Sequence, residues 1–492
     1  MIYSFSFAVR ILGGQSMKKK ILIGLSVLAM AATGLSGCGG SNKSGTALAV
    51  EKANKMSLAE LEEASRQEWL EKPNGKMKVV GLTSVLRSVA TSVAAKYEWL
   101  NYVYDSTSGT STGNIDVNNG YKDYTLLTAL DGAATGYFAD YALVQDVRSF
   151  STLMEEGITH NYIPSDAAAL GLPDDGKTPL YGVHFNKLFW TNTNFEHVTG
   201  KKLYNIWQVA GHDASGNEAA DHPDHLSKVS FQSPTTEQIN MSFLVSCLAE
   251  ENQARIAKAY KDYYGKDWAN PEGKNYANAG QQWVEEFIAN ISKFHTSDGD
   301  AMKKTQLESD WSAGVVYYGA FAKMKDAVGK KYNVDLNGNG EVESTIDLTL
   351  ACGDESYHYT SEVDVNAMTT VKWDWEINGF NGFMYCMDSQ IVNNAQYPYT
   401  ACLFARTMLL EETYTAAIYN AKNPDAQGNP ANQYGYYYPC QESANFRYAK
   451  GDWTKAEHIA NEINERYDYL KSVKGATVNR LLALVNSNTK AK

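Results

Sequence analysis

Cysteine is scarce in this chain, positive charge is in deficit, and no apolar run is long enough to hold a helix across a membrane. Only 6 of 492 residues are cysteine. After Cys38 the remaining five, Cys247, Cys352, Cys386, Cys402 and Cys440, are widely scattered. No two have the spacing of a zinc knuckle, and an odd number cannot all pair, so buried thiols are expected in place of a disulfide framework, with one bridge left open. Against 56 acidic residues stand 44 Lys and Arg, a formal net charge of -12. A chain this acidic lacks the clustered cations that nucleic acid or an anionic membrane surface requires. Also missing are a nucleophile elbow, a His-Glu-x-x-His pair, a phosphate loop, internal repeats and long low-complexity tracts. What is present is an ordinary globular composition, 44% hydrophobic and 20% charged, over a length that calls for two or three lobes.

The N-terminal segment has a clear chemistry. Lys18, Lys19 and Lys20 precede the short apolar stretch from Ile21 to Ala32, and Leu35-Ser36-Gly37-Cys38 closes it. This looks like a bacterial lipoprotein signal, in which the lysines stay cytoplasmic and small residues admit a peptidase before Cys38. A permanent spanning helix would need about 20 apolar residues. Residues 1–37 are therefore expected to be a removable leader. Cys38 then carries lipid, and 38–56, rich in Gly and Ser, is expected to be a flexible tether.

Ser57 with Glu60 forms a capping box that opens a helix ending near Lys72-Pro73-Asn74-Gly75. Lys78-Val79-Val80-Gly81-Leu82 reads as a buried strand, Val85 to Tyr97 as a helix, Tyr124 to Ala134 as another, and Tyr141-Ala142-Leu143-Val144 as a strand. Alternating strand and helix predict an α/β fold with a parallel sheet. Helices are expected over Thr235 to Ala249, Glu251 to Tyr264 and Gln281 to Phe294, a strand over Trp311 to Tyr318, a helix over Tyr399 to Leu410, and helices from Thr454 to Val485.

These residues resemble the extracellular solute-binding proteins of ABC importers, in the branch that includes ferric-iron and thiamine binders. The likeness rests on Leu61 to Glu68 followed by Lys78 to Ser84, on Ala139 to Asp146, on Glu156 to Pro164, and on Tyr397-Pro398-Tyr399-Thr400-Ala401 with Leu403-Phe404. The resemblance implies a two-lobed, type II periplasmic-binding-protein-like fold with an interlobe cleft and crossing strands. Residues 57–186 would form the first part of lobe one, 187–370 lobe two, 371–415 the return to lobe one, and 416–492 a C-terminal helical segment packed on both. It implies a monomeric receptor without enzymatic activity, held by lipid on the outer or periplasmic side of the cell membrane. Such a receptor captures a small polar or anionic solute, or a metal complex, and delivers it to a permease.

Thr83 and Ser84 stand where a strand ends and a helix begins, which suits a ligand as well as simple capping. Gln145 and Asp146 hold the same place after their strand, and compete with a solvated turn. In His184-Phe185-Asn186-Lys187-Leu188-Phe189-Trp190, which looks like a crossing strand, Asn186 and Trp190 can reach hinge and ligand, or Trp190 can be core. Tyr317 and Tyr318 resemble adjacent iron-coordinating tyrosines, although Val315 and Val316 precede them in place of a polar pair. The other reading is a strand with one tyrosine buried and one exposed. Asp335, Asn337, Asn339 and Glu341 with Gly340 suggest a structural calcium loop or a polar turn, position twelve being Ile346. No other cofactor is required. His212, Asp213, Asp221, His222, Asp224 and His225 form either a zinc cluster or an exposed insertion.

Two alternatives remain at this stage. An oligosaccharide receptor draws on 32 tyrosines, runs such as Tyr434 to Tyr438, and Trp373 and Trp375. A surface polysaccharide hydrolase needs two carboxylates, for which Asp374 and Glu376 alternate on one strand face. A purely adhesive protein is disfavoured by the alternation of strand and helix.

Overall fold

The computed structural model describes residues 44–491 except 84, 193–194, 212–221, 303–313, 321–330, 335–343, 348, 353–369, 374–376, 414–435 and 438–459. Cys38, Ser84 and the Asp335, Asn337, Asn339 and Glu341 loop lie outside the described residues, as do Asp374 and Glu376. The strands in chain order are β1 (Met77–Gly81), β2 (Tyr102–Asp105), β3 (Thr110–Gly113), β4 (Ile115–Asn118), β5 (Tyr141–Val144), β6 (Thr159–His160), β7 (Leu180–Asn192), β8 (Val229–Gln232) and β9 (Ile291–His295). They continue with β10 (Val316–Ala320), β11 (Lys331–Val334), β12 (Ser344–Asp347), β13 (Thr349–Cys352), β14 (Thr370–Trp373), β15 (Phe383–Val392), β16 (Tyr436–Tyr437) and β17 (Ile463–Asn464).

The main sheet runs β4-β1-β5-β15-β7-β10-β8-β9. Its two ends are parallel, β4-β1-β5 on one side and β10-β8-β9 on the other. Between them every pairing is antiparallel. The expected parallel sheet is thus found twice, and the join between the copies has the opposite sense. β7 makes the join: from Leu180 to Lys187 it pairs with β15, and from Lys187 to Trp190 with β10. At about 3.3 Å per residue its 13 residues reach roughly 40 Å, far more than one half needs. β15 returns the chain, its Asp388 to Ile391 stretch pairing with β5. Two α/β halves sharing two crossing strands give the two-lobed type II architecture.

Helices cover both sheet faces, so β5, β10 and β15 are buried at every position. This overturns the expectation that one of Tyr317 and Tyr318 is exposed: they point to opposite faces and both are fully buried. Tyr318 stacks on Phe231 and Phe243, with ring centroids 5.1 and 4.6 Å away. Two further expectations change. Residues Gly45–Ala53 are a helix, capped by Ser44, that buries Thr46, Ala49, Val50 and Ala53, so the tether expected through residue 56 already belongs to the fold there. The Asn54 side chain also accepts the Ile163 backbone N–H. The helix Ala279–Asn290 stops before Phe294, because Asn290 donates to the carbonyls of Val209 and Leu226 and the chain from Ile291 on pairs with β8.

Helix Leu58–Glu71 has the capping box read from Ser57 and Glu60. It packs on helix Pro398–Met408, whose start is held by two carboxylates. Glu68 accepts the backbone N–H groups of Tyr399 and Thr400 and the Thr400 hydroxyl. Asp140 accepts the N–H groups of Lys78, Gln396 and Tyr397 and the Tyr137 hydroxyl, all within 2.6–2.8 Å. An Asp140→Ala variant strands three backbone donors. It should lose about 3 kcal/mol in urea unfolding, with Asp140→Asn, which keeps one acceptor oxygen, losing less.

Candidate functional site

The two halves meet along a buried polar seam where β5 ends. Val144 is followed by Gln145 and Asp146, and Asp146 takes a left-handed backbone conformation, φ 63°, that turns the chain into helix Val147–Glu155. That turn aims both side chains at the second half. The Gln145 amide donates to Glu237 Oε1 at 2.7 Å, and the Ser242 hydroxyl donates to Asp146 Oδ1 at 3.2 Å. Glu237 and Ser242 belong to helix Gln238–Ser246 and the residue that precedes it. A solvated turn at Gln145 and Asp146 is excluded by their burial.

Beside this contact Lys187 rises from β7 into the interior. Its Nζ donates to Asn240 Oδ1 at 2.7 Å and pairs with Asp298 Oδ2 at 3.1 Å. The Tyr317 hydroxyl donates to the Asp298 carbonyl and to Oδ1 of the same residue. Burial pushes the Glu237 carboxyl up, and the Asp298 carboxylate adds to this, while the Lys187 ammonium opposes it. Burial together with Asp298 likewise carries the Tyr317 phenol well above its ordinary value.

A third group surrounds the crossing strands themselves. Asp388 of β15 is fully buried, as is Glu462, and the Cys386 backbone N–H donates to Glu465 Oε2 at 3.3 Å. Burial raises all three carboxyls, and the neighbouring Asp388 and Asp146 charges raise Glu465 further.

Of the residues singled out in the sequence, Gln145, Asp146 and Tyr317 come together in the seam. Asn186 is buried on β7 next to Lys187. Trp190 does not join them: its indole N–H donates to the Gly319 carbonyl at 3.1 Å inside the core. Tyr318 is equally core. Thr83 accepts the Val85 N–H at 3.3 Å, a capping role at the helix start. His222 stacks on Tyr263, with centroids 3.9 Å apart, and Asp224 accepts the Tyr204 hydroxyl, so these two members of the candidate zinc cluster or exposed insertion serve packing, while His212, Asp213 and Asp221 lie outside the described residues. Among the described residues no group of three His, Cys, Asp or Glu is arranged to hold a metal ion. Cys247, Cys386 and Cys402 are free and buried.

Sequence reasoning passed over Lys187, Glu237, Asn240, Asp298, Asp388 and Glu465. Lys187 and Asp388 carried a readable signal, a lone charge inside an otherwise apolar strand run. Glu237 follows the turn Ser233-Pro234-Thr235-Thr236 directly before a helix, another such mark.

Comparison with family models and with curated proteins finds no match. Among solved structures the chain is similar to the open ferric iron-binding protein A of Mannheimia haemolytica, with 10% identity and a TM-score of 0.47 over 84% of this chain and 99% of that one. It is similar to a ferric binding protein from Campylobacter jejuni, again at 10% identity and 0.47 over 84% and 99%. A putative extracellular solute-binding protein from Bordetella parapertussis gives 12% and 0.47 over 85% and 99%. At that level the likeness says nothing of what this chain binds.

The raised carboxyls make stability depend on pH with a definite sign. Glu237, Asp388, Glu462 and Glu465 hold protons in the folded chain at pH values where the unfolded chain, with carboxyl values near 4, has lost them. The contribution of these four groups to stability is then greatest at low pH and falls as pH rises above about 4. His160, held down by burial, works oppositely as pH falls below about 6.5. The melting temperature should therefore be several degrees lower at about pH 8 than at about pH 6.5, and Glu465→Gln should flatten that slope.

Proposed function

We propose that this chain is an extracellular solute-binding protein of an ABC importer, tethered by lipid on Cys38, that captures a small polar solute by closing its two halves and presents the closed form to a membrane permease. The observation that carries this reading is the seam. Gln145 and Asp146, beyond the end of β5 in one half, hydrogen-bond to Glu237 and Ser242 of the other, and the halves are joined through β7 and β15. Ligands of α/β sheets sit beyond strand ends, where two halves can each contribute contacts. Bending the crossing strands opens the seam, and a solute touching both sides shifts the balance toward closure. No bond need be made or broken.

The seam favours some solutes over others. The seam brings together the carboxyls of Asp146, Glu237 and Asp298 while the Lys187 ammonium is already paired with Asp298, so of the polar or anionic solutes first expected a polar one suits it better. The oligosaccharide alternative rests on aromatic residues such as Tyr434, Tyr438 and Trp375, which lie outside the described residues. The receptor is proposed to act as a monomer on the outer or periplasmic face of the membrane.

Small-angle scattering tests the capture. Protein stripped of solute by partial unfolding should be the larger species, and adding back the solute identified by native mass spectrometry should reduce the radius of gyration. An unchanged radius with the co-purified solute would sink the reading. The anchor is tested separately: Cys38→Ala should move the protein from the membrane fraction to the soluble one.

A further inference from the structure

Within the seam one group of side chains lacks what its charges require. Asp388, Glu465 and Asp146 converge where β15 passes the end of β5: Asp388 pairs across the sheet with Val144, two residues before Asp146. Glu465 takes the N–H of Cys386, two residues before Asp388. The Ser242 hydroxyl reaches Asp146 from the opposite half. Asp388 is wholly buried, yet neither of its carboxylate oxygens has an N–H or O–H donor among the described residues, the Cys386 thiol beside it being a weak donor. Oε1 of Glu465 likewise lacks an N–H or O–H donor among them. Lys187 is committed to Asn240 and Asp298.

A buried carboxylate with no donor is costly to keep ionised, and adjacent like charges add to the cost. Two carboxyls with vacant acceptor oxygens, Asp388 and Glu465, beside a third carboxyl, Asp146, persist only where something answers them. Protons can do so, and so can a cation that arrives with the solute. A bare metal ion is the weaker occupant, since these residues are not arranged as a metal-binding group. Nitrogen-bearing cations suit the site better, because each N–H fills one of the vacant acceptor positions on Asp388 and Glu465 and the positive charge offsets the cluster.

Resting on the capture reading above, we propose that the solute carries a cationic nitrogen, a primary ammonium or amidinium, and that Asp388 and Glu465 receive it with Asp146 alongside. Entry follows from the same geometry. Asp146 lies in one half and its partner Ser242 in the other, so opening the seam parts them and bares the carboxylates, while closure buries the bound cation among them. Enclosure then strengthens the ion pairs by excluding water.

The test uses the full chain and four probes: 1,4-diaminobutane, benzamidine, calcium and inorganic phosphate, with titration calorimetry as the readout and native mass spectrometry of the co-purified solute beside it. Binding of at least one of the two nitrogen cations is expected, weakened tenfold or more in Asp388→Asn and in Glu465→Gln. Because Asp388→Asn replaces a buried ionisable group with a neutral amide of the same shape, the empty variant should melt no lower than the parent, so lost binding would not reflect lost folding. Glu465→Gln provides the second, independent reading. Affinity unchanged in both variants would mean that the carboxyls are answered by protons alone, and the inference fails. It fails equally if calcium or phosphate binds and neither nitrogen cation does, or if no probe binds. A co-purified solute without cationic nitrogen that still compacts the protein would overturn this inference and leave capture standing, whereas a solute that produces no compaction strikes at capture itself.

Discussion

Everything in this fold depends on β7 keeping one unbroken ladder while its neighbours change. Along its first eight residues the partner is β15, and beyond Lys187 the other edge takes up β10. Backbone hydrogen bonds must be satisfied through the change because the strand is buried on both faces, with no water to replace a missing partner. The two halves are therefore coupled mechanically through a strip of sheet, and relative motion has to be absorbed as twist or bend along it. Lys187 stands at the change of partner, and its charge is balanced from the second half by Asp298. A covalent strand and an ion pair thus meet at the same residue.

The first half is made rigid by a different device. Glu68 and Asp140 both bury carboxylates at the start of helix Pro398–Met408, where free N–H groups would otherwise go unpaired. Burial pushes the Glu68 carboxyl up to about 7 in spite of three hydrogen bonds from Tyr399 and Thr400, which is how closely desolvation and capping are matched there. Since this helix follows β15 in sequence, its anchoring fixes where the returning strand must lie. Position at the seam is in this sense inherited from caps far along the chain.

Local signals made most of the scaffold legible. The Ser57 and Glu60 box, the apolar run at Tyr141 to Val144 and the long apolar stretch around Phe185 to Trp190 each specify their element from neighbouring residues alone. Failures occurred where distant pairing decides. Nothing near Asn290 announces that Ile291 leaves a helix to join β8, because the reason lies in the carbonyls of Val209 and Leu226. The helix at Gly45–Ala53 was concealed by a Gly and Ser-rich approach, and it forms because an apolar surface awaits it. For the site, strand-end position singled out Gln145 and Asp146, and the fold places both in the seam. Their partners Glu237 and Ser242 could not be paired with them, being about ninety residues away with no spacing rule to connect them.

The distribution of charge in the seam follows from this division of labour. Residues that hold the fold can be neutralised by each other once and for all, as Lys187 is by Asp298. Residues that must separate when the halves part cannot rely on partners across the gap, because the contact exists only part of the time. Asp146 illustrates the consequence: its partner, the Ser242 hydroxyl, is a neutral group that water can replace at little cost when the seam opens. Had an arginine stood at position 242, closure without solute would be strongly favoured and an incoming ligand would have little left to contribute. On the capture reading proposed above, weak neutral contacts across the seam, such as that from Ser242 to Asp146, would keep the empty protein near balance and leave the decisive interaction to the solute.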